Sequence, residues 1–317
     1  MHACAMNTLS TTYDVAVVGA GSAGLQAALT LGRMRRRVVV LGTDRYRNDP
    51  ARRMQNFLGH DGTPPAELRG AARRDVERYA TVTFLDRAVT SVAGEPDAFV
   101  LEIDGAGPLT ARRVILATGV TDTLPDVPGL APLFGDVVAH CPFCHGHELA
   151  DRPLAILGSG GHVAALAAMI STLATSITVL TDGADLDEDS RSALKRMGVE
   201  VRHEKVLGVR RSPQGVTVDL DGGSPVEVGG MFVGPTWAQS TPLAEQLGLE
   251  TAALGGVLVD AMGATSRAGV YAAGDMAHTR DLPMPMASVL TAAAAGLVAA
   301  AACHRELSAT DAELTEA

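Results

Sequence analysis

The sequence predicts an α/β protein of two Rossmann-like, three-layer domains in series. Three observations carry that prediction. A glycine-rich turn between an apolar strand and a helix occurs twice, a domain's length apart. Two further apolar strands end in glycine turns, one before the second copy and one near the C-terminus. The chain, 317 residues with 47% hydrophobic and 20% charged, is also long enough to bury two cores.

Each element follows in order. Asp14-Val15-Ala16-Val17-Val18 reads as a buried strand running into Gly19-Ala20-Gly21-Ser22-Ala23-Gly24. An alanine-rich helix continues to about Arg35, and residues 38–41 form the next strand. In such a βαβ unit the first glycine makes the turn and the second lets the backbone approach a pyrophosphate. The third admits close packing at the helix N-terminus. Residues 113–116 form a strand ending in Ala117-Thr118-Gly119, followed by a loop with Pro125, Pro128 and Pro132. The pattern then returns: a strand at 154–157, the turn Gly158-Ser159-Gly160-Gly161-His162-Val163, a helix, and a strand at 177–180. Residues 206–234 read as short strands with glycine turns completing this second domain. A strand at 269–273 ends in Gly274-Asp275, and an alanine-rich helix spans 289–305. Residues 1–12 and 309–317 carry no motif and are expected to be mobile ends.

Composition narrows the function classes. Net charge is −10 and no stretch gathers enough Lys or Arg to track a phosphate backbone, so nucleic acid is not an expected partner. Of the 26 basic residues only Lys195 and Lys205 are lysine, which with the abundant alanine reads as GC-rich codon usage. The N-terminal residues lack the basic start and apolar core of a signal peptide. Two long uncharged runs, 153–181 and 282–303, need explaining. The first is interrupted by its glycine turn, and the second opens with Pro283 and Pro285 and is mostly alanine, weakly apolar for a membrane span. A buried helix in a soluble, cytoplasmic protein is expected. Four cysteines are too few for a disulfide framework, and two of them are paired as Cys141-Pro142-Phe143-Cys144. Cys4 and Cys303 read as incidental.

Two cysteines at this spacing can close a redox disulfide, with a nearby imidazole tuning thiolate formation. A half zinc site completed by His140, His145 or His147, or two buried thiols, would use the same residues. Taken together, the first glycine turn, Ala117-Thr118-Gly119 and Gly274-Asp275 resemble the flavoprotein disulfide reductases. The resemblance implies FAD as cofactor, Asp275 on its ribityl chain, and a discontinuous FAD domain. That domain would be 1–122 with 240–317, around an NAD(P)-type insert, 123–239, that holds the cysteines. A cysteine pair in the second domain and a short chain are similar to the low-molecular-weight thioredoxin reductases, which implies a homodimer. Those enzymes usually carry Asp after the second cysteine. The order Cys144-His145-Gly146 is instead similar to the dithiol oxidases of the gliotoxin, holomycin and romidepsin pathways. Arg47-Asn48 and residues 55–65 resemble that branch too, and place Asn56 in a flavin-contacting loop.

By this resemblance the cofactor residues are Gly19, Gly21, Ser22, Ala23, Gly24, Asp44, Asn56, Val89, Ala117, Thr118, Gly119, Gly274 and Asp275. Ala287 and Ser288 join them at the last helix, where the reductases often carry Arg-Gln-Ala. NAD(P)H is doubtful. After the second strand of the second domain an NADPH enzyme needs arginines for the 2′-phosphate. This chain gives Asp182, Asp185, Asp187, Glu188 and Asp189, and Val163 stands where a small residue is wanted. Either Asp182 holds the ribose of NADH, or the domain keeps its fold and cysteines without a nucleotide. The acidic run favours the latter.

The implied reaction starts from FAD and a Cys141–Cys144 disulfide. A small-molecule dithiol attacks Cys141 and leaves as a disulfide, Cys144 passes the electrons to FAD, and molecular oxygen accepts them as H2O2. His145 takes the place of the reductases' acid–base Asp, with His140 and His147 in reserve. The alternatives are a disulfide reductase fed by NAD(P)H or another donor, and a flavin redox sensor.

Overall fold

Alternating side chains assign the two faces of each strand. In β1 (Thr12–Val18), Tyr13, Ala16 and Val18 join one apolar cluster while Val15 and Val17 join another. The computed structural model describes residues 12–282 and 285–316. Cys4, Pro283 and the motif-free residues 1–11 therefore lie outside the described residues. The chain divides into two units: Met1–Arg47 with Ala66–Thr121 and Ala238–Ala317, and Asn48–Pro65 with Asp122–Trp237.

The first limb of unit 1 runs β1, α1 (Ser22–Arg33), β2 (Val38–Leu41), α2 (Pro65–Glu77), β3 (Val82–Leu85), β4 (Val89–Ala93), β5 (Phe99–Ile103), β6 (Leu109–Leu116) and β7 (Val120–Thr123). The sheet order is β3-β2-β1-β6-β5-β4, parallel except for the antiparallel β4–β5–β6 meander. Parallel strands buried on both faces read as continuous apolar runs, which is why all four residues of β2 are buried.

Unit 2 contains β8 (Val138–Ala139), α3 (Pro142–His145), β9 (Pro153–Leu157), α4 (His162–Ile170), β10 (Ser176–Leu180), α5 (Glu188–Arg196), β11 (Glu200–Arg202), β12 (Val206–Ser212), β13 (Gly215–Leu220), β14 (Val226–Val228) and β15 (Gly230–Val233). Its parallel sheet is ordered β11-β10-β9-β15-β8. Val163, Leu166, Ile170 and Leu194 of α4 and α5 pack on one face with Ile156 and Phe232. The antiparallel sheet β12-β13-β14 joins the core on the other. Segment Asn48–Pro65 groups with this unit, a placement that no motif signals. A side chain at Gly135 would collide with the Pro50 backbone at 2.6 Å, so the segment lies tight against the loop ahead of β8.

The chain then forms β16 (Thr236–Gln239), α6 (Leu243–Gln246), β17 (Val257–Val259), β18 (Val270–Ala272), β19 (Ala277–Thr279) and α7 (Val289–Glu316). β18 extends the first sheet, pairing parallel with β6 from Val270↔Val114 to Ala272↔Leu116. α7 packs on α1, where Gly296 lies against the Ala23 carbonyl so closely that a Cβ would sit 2.0 Å from it. The sequence reading ends α7 at Arg305 and leaves 309–317 as a loose end, and both points need correction. The helix runs on because Asp311 bonds Arg36 at 2.6 Å and Arg112 at 2.7 Å, contacts that no apolar pattern announces. Cys303 is fully buried on the same helix. Among the described residues no helix is long and apolar enough to cross a membrane.

Candidate functional site

Strand order brings three glycine turns to the carboxyl ends of β1, β6 and β18, the end at which open parallel sheets bind ligands. Gly19 has φ +115°, and a Cβ there would lie 2.1 Å from the Ala117 carbonyl oxygen, so the first turn and the Ala117-Thr118-Gly119 turn are in direct contact. A Cβ on Gly24 would meet the Gly19 carbonyl at 1.8 Å, which is how α1 starts so near its strand. Gly274 adjoins α1, its Cβ direction 3.0 Å from that of Ala23, and Ala273 N–H donates to the Leu116 carbonyl at 2.9 Å. Gly19, Gly21, Ser22, Ala23, Gly24, Ala117, Thr118, Gly119, Gly274 and Asp275 thus form one cluster.

This cluster fits a dinucleotide. The N-cap of α1 is Gly21 and no side chain caps the helix, so its first N–H groups and positive dipole end face outward, as an anion requires. Asp275 supplies a carboxylate beside it, ion-paired with Arg47 at 2.9 Å. Tyr46 Cδ1 lies 4.0 Å from the Cβ direction of Gly21. It donates to Asp44 Oδ1 at 3.0 Å and lies under the Arg69 guanidinium. Burial and the Asp44 carboxylate push the Tyr46 phenol up to about 12. Sequence reasoning gave neither Tyr46 nor Arg47 a role. Their positions depend on the path of the loop after β2, for which only the Arg47-Asn48 pair hinted.

The other expected cofactor residues lie as follows. Asp44 is exposed, with φ +53°. Val89 is 8% exposed, and its side chain lies in the cluster on the sheet face away from α1. Ala287 and Ser288 are exposed ahead of α7, whose first turn Ser288 caps itself, its Oγ accepting from Thr291 N–H at 3.0 Å. Asn56 belongs to unit 2, where φ is +62° and its N–H donates to Asp61 at 2.7 Å.

In unit 2, Cys141 is the N-cap of the one-turn helix α3, Pro142 pre-sets the first turn, and Cys144 follows three residues on. The N–H groups of Cys144 and His145 both reach the Cys141 carbonyl at 3.2 Å. That spacing puts the two sulfurs on one side of a tight turn, both half-buried, while Phe143 between them is 70% exposed. His145 directly follows, and neither ring nitrogen has a hydrogen-bond partner of good geometry. Burial pushes its pKa below the ordinary histidine value. The Gly135 backbone and the Glu148 and Asp136 carboxylates pull the other way without prevailing. His145 is therefore held as a neutral imidazole with a lone pair available. His140 stacks on Phe134, ring centroids 5.7 Å apart, and His147 is exposed. Among the described residues, no three His, Cys, Asp or Glu side chains converge to hold a metal.

The second glycine turn is built differently from the first. The exposed His162 imidazole lies beside it, Nδ1 3.0 Å from the Cβ direction of Gly160 and Nε2 3.2 Å from that of Gly234. Asp182, the one carboxylate placed to hold a ribose, instead accepts from Val206 N–H at 2.9 Å and Lys205 Nζ at 3.2 Å. Asp187 caps α5 through Ser190 N–H at 2.7 Å. Arg191, the first arginine after the acidic run, pairs with Glu188 at 2.8 Å.

Comparison with known proteins adds the following. The family model described as pyridine nucleotide-disulphide oxidoreductase matches residues 13–296. Thioredoxin reductase sirT of Leptosphaeria maculans is 32% identical over 319 residues, covering 93% of this chain and 94% of that protein. A probable thioredoxin reductase of Arthroderma benhamiae is 31% identical over 268 residues, 75% of this chain but only 66% of its own length. Among solved structures, HlmI shares 34% identity with a TM-score of 0.88, covering 97% of this chain and 96% of that one. An oxidoreductase from Agrobacterium tumefaciens shares 34% with a TM-score of 0.85, covering 93% and 98%.

Proposed function

Because this chain belongs to the pyridine nucleotide-disulphide oxidoreductase family and is a thioredoxin-reductase-like FAD flavoprotein, we propose that it oxidises a small-molecule dithiol to an intramolecular disulfide through Cys141 and Cys144, with O2 as the final acceptor. One observation carries the direction. In unit 2, Asp182 accepts from Val206 N–H and Lys205 Nζ, so a nicotinamide donor meets no available ribose carboxylate. Electrons then enter from the dithiol.

The chemistry divides among this chain's residues. A substrate thiolate attacks Cys141 of the enzyme disulfide and displaces the Cys144 thiolate. The second substrate thiol attacks the mixed disulfide, leaving the substrate oxidised and the cysteines reduced. His145, neutral and half-buried next to Cys144, takes a proton from the incoming thiol and returns it to solvent. FAD, when bound, accepts the electron pair and delivers it to O2, giving H2O2. The reduced cysteines close again as they give up that pair. The first turn's Gly19, Gly21 and Gly24, the α1 N-terminus, Ala117-Thr118-Gly119 and Asp275 hold the cofactor; Ser22, Ala23 and Gly274 shape its bed.

The family description and the relatives' names favour a second reading, a disulfide reductase driven by a pyridine nucleotide such as NAD(P)H. Anaerobic flavin absorbance separates the two. NADH, NADPH and dithiothreitol are added in separate cuvettes, then air is admitted. Bleaching by the dithiol alone, with yellow and peroxide returning in air, supports the oxidase. Rapid bleaching by either nicotinamide would overturn it in favour of the reductase. A homodimer and a cytoplasmic location remain part of the proposal through the family resemblance.

A further inference from the structure

We propose that Arg47 is a positioning residue of the flavin site, holding the Asp275 carboxylate in place and offsetting its charge. This inference rests on the reading that Asp275 meets the ribityl chain. The guanidinium Nη1 lies 2.9 Å from Asp275 Oδ2, and the two side chains are only 20% and 21% exposed. Arg47 engages one carboxylate oxygen only; Oδ1 has no partner among the described residues and is left to accept a hydroxyl.

The loop that carries Arg47 is pinned. One residue earlier in the same unit, Tyr46 donates to Asp44, lies beside Gly21 and sits under Arg69, whose guanidinium carbon is 4.0 Å from its ring centroid. Arg47 is thus presented from an anchored loop. Charge gives it a task. FAD carries a doubly negative pyrophosphate, and the first turn of α1 is built to receive it. A bare carboxylate in the same cluster repels that group; a guanidinium on one of its oxygens offsets the repulsion and leaves the other oxygen for a ribityl hydroxyl.

The test uses holoenzyme and the variants Arg47→Ala, Arg47→Gln, Arg47→Lys, Asp275→Asn and Arg47→Ala/Asp275→Asn. Flavin release on dilution is followed by the fluorescence of free FAD, at low and high salt, with thermal melting as a fold control. Losing a charge-assisted contact gives Arg47→Ala about tenfold weaker FAD retention. Lys should restore part of it, and Arg47→Ala should add less than twofold in the Asp275→Asn background. Salt carries the distinguishing sign: in Arg47→Ala it should improve retention, because it screens carboxylate–pyrophosphate repulsion, while the wild type shows no such gain. Should Arg47→Ala fail to fold, Arg47→Gln keeps the side-chain length without the charge and carries the same expectation. Wild-type retention in Arg47→Ala alongside a loss in Asp275→Asn would overturn the role of Arg47, as would independent, multiplying effects in the double variant. Wild-type retention in both single variants would overturn the placement of Asp275 itself.

Discussion

Gly21→Ala separates the demands of folding from those of the cofactor. Gly21 has φ −77° and ψ −172°, a backbone open to any residue. The only atom near its Cβ direction is Tyr46 Cδ1 at 4.0 Å, an ordinary contact. Alanine is a poorer N-cap than glycine, and the roughly 0.4–1 kcal/mol it gains through the unfolded chain offsets that loss, so the flavin-free protein should keep close to wild-type stability. The methyl group nevertheless fills the space through which a pyrophosphate approaches the α1 N-terminus. Losing one charge-assisted backbone contact costs about 1.5–3 kcal/mol, which is roughly 10- to 100-fold in FAD affinity. The flavin-to-protein absorbance ratio and a fluorescence titration of stripped protein measure the affinity; melting of the stripped protein measures the fold. Gly24→Ala is the contrasting control, since its Cβ would lie 1.8 Å from the Gly19 carbonyl and must disrupt the turn with or without FAD. Wild-type FAD affinity in Gly21→Ala, or a melting temperature several degrees lower without flavin, would refute the reasoning.

Three further outcomes are expected. Cys144→Ser should retain bound FAD yet lose flavin bleaching by dithiol, and normal bleaching would remove Cys144 from the electron path. His145→Asn should slow dithiol-driven bleaching about 10²-fold. Because burial lowers the His145 pKa, the neutral base persists below pH 6.5, so the wild-type rate should fall only on the acid side of that value. The same shift means the unfolded chain binds a proton that the folded chain does not, so folding stability drops as pH falls through about 6.5, and His145→Asn should flatten that slope. A change of less than a few-fold in rate would make His145 structural. Glu306→Gln should cost about 2 kcal/mol, discounted because Glu306 is 38% exposed, since it strips the 3%-exposed Arg113 of a partner at 2.8 Å. Glu306 also accepts from the Tyr271 hydroxyl, whose pKa burial and that carboxylate raise. A melting temperature within a degree of wild type would count against the clamp.

Family membership, the fold class and the FAD cofactor were legible in the sequence because they rest on local backbone chemistry. Gly19 must adopt φ +115° and Gly24 must admit a carbonyl, and only glycine does either, so the turn is written in consecutive residues. The Cys141–Cys144 turn is equally local, a proline-started helical turn with its N-cap cysteine. The end of α7 was not legible, because residues 309–316 carry no motif and Asp311 among them pairs with Arg36 and Arg112, far away along the chain. An acidic run at 182–189 was visible, but its meaning was not. Asp182 is bound to Lys205 and Val206, and Asp187 caps a helix.

By itself, then, the sequence determined that two strand–glycine–helix units exist, that the first can hold a dinucleotide, and that two cysteines share one turn. Tertiary structure alone decided that His145 is half-buried, that Asp182 is tied to Val206 and Lys205, and that Arg47 grips Asp275. The physical reason is range. A turn's backbone angles and steric room are set within a few residues, whereas desolvation and ion pairing depend on which distant segments the packed sheets bring within a few ångströms.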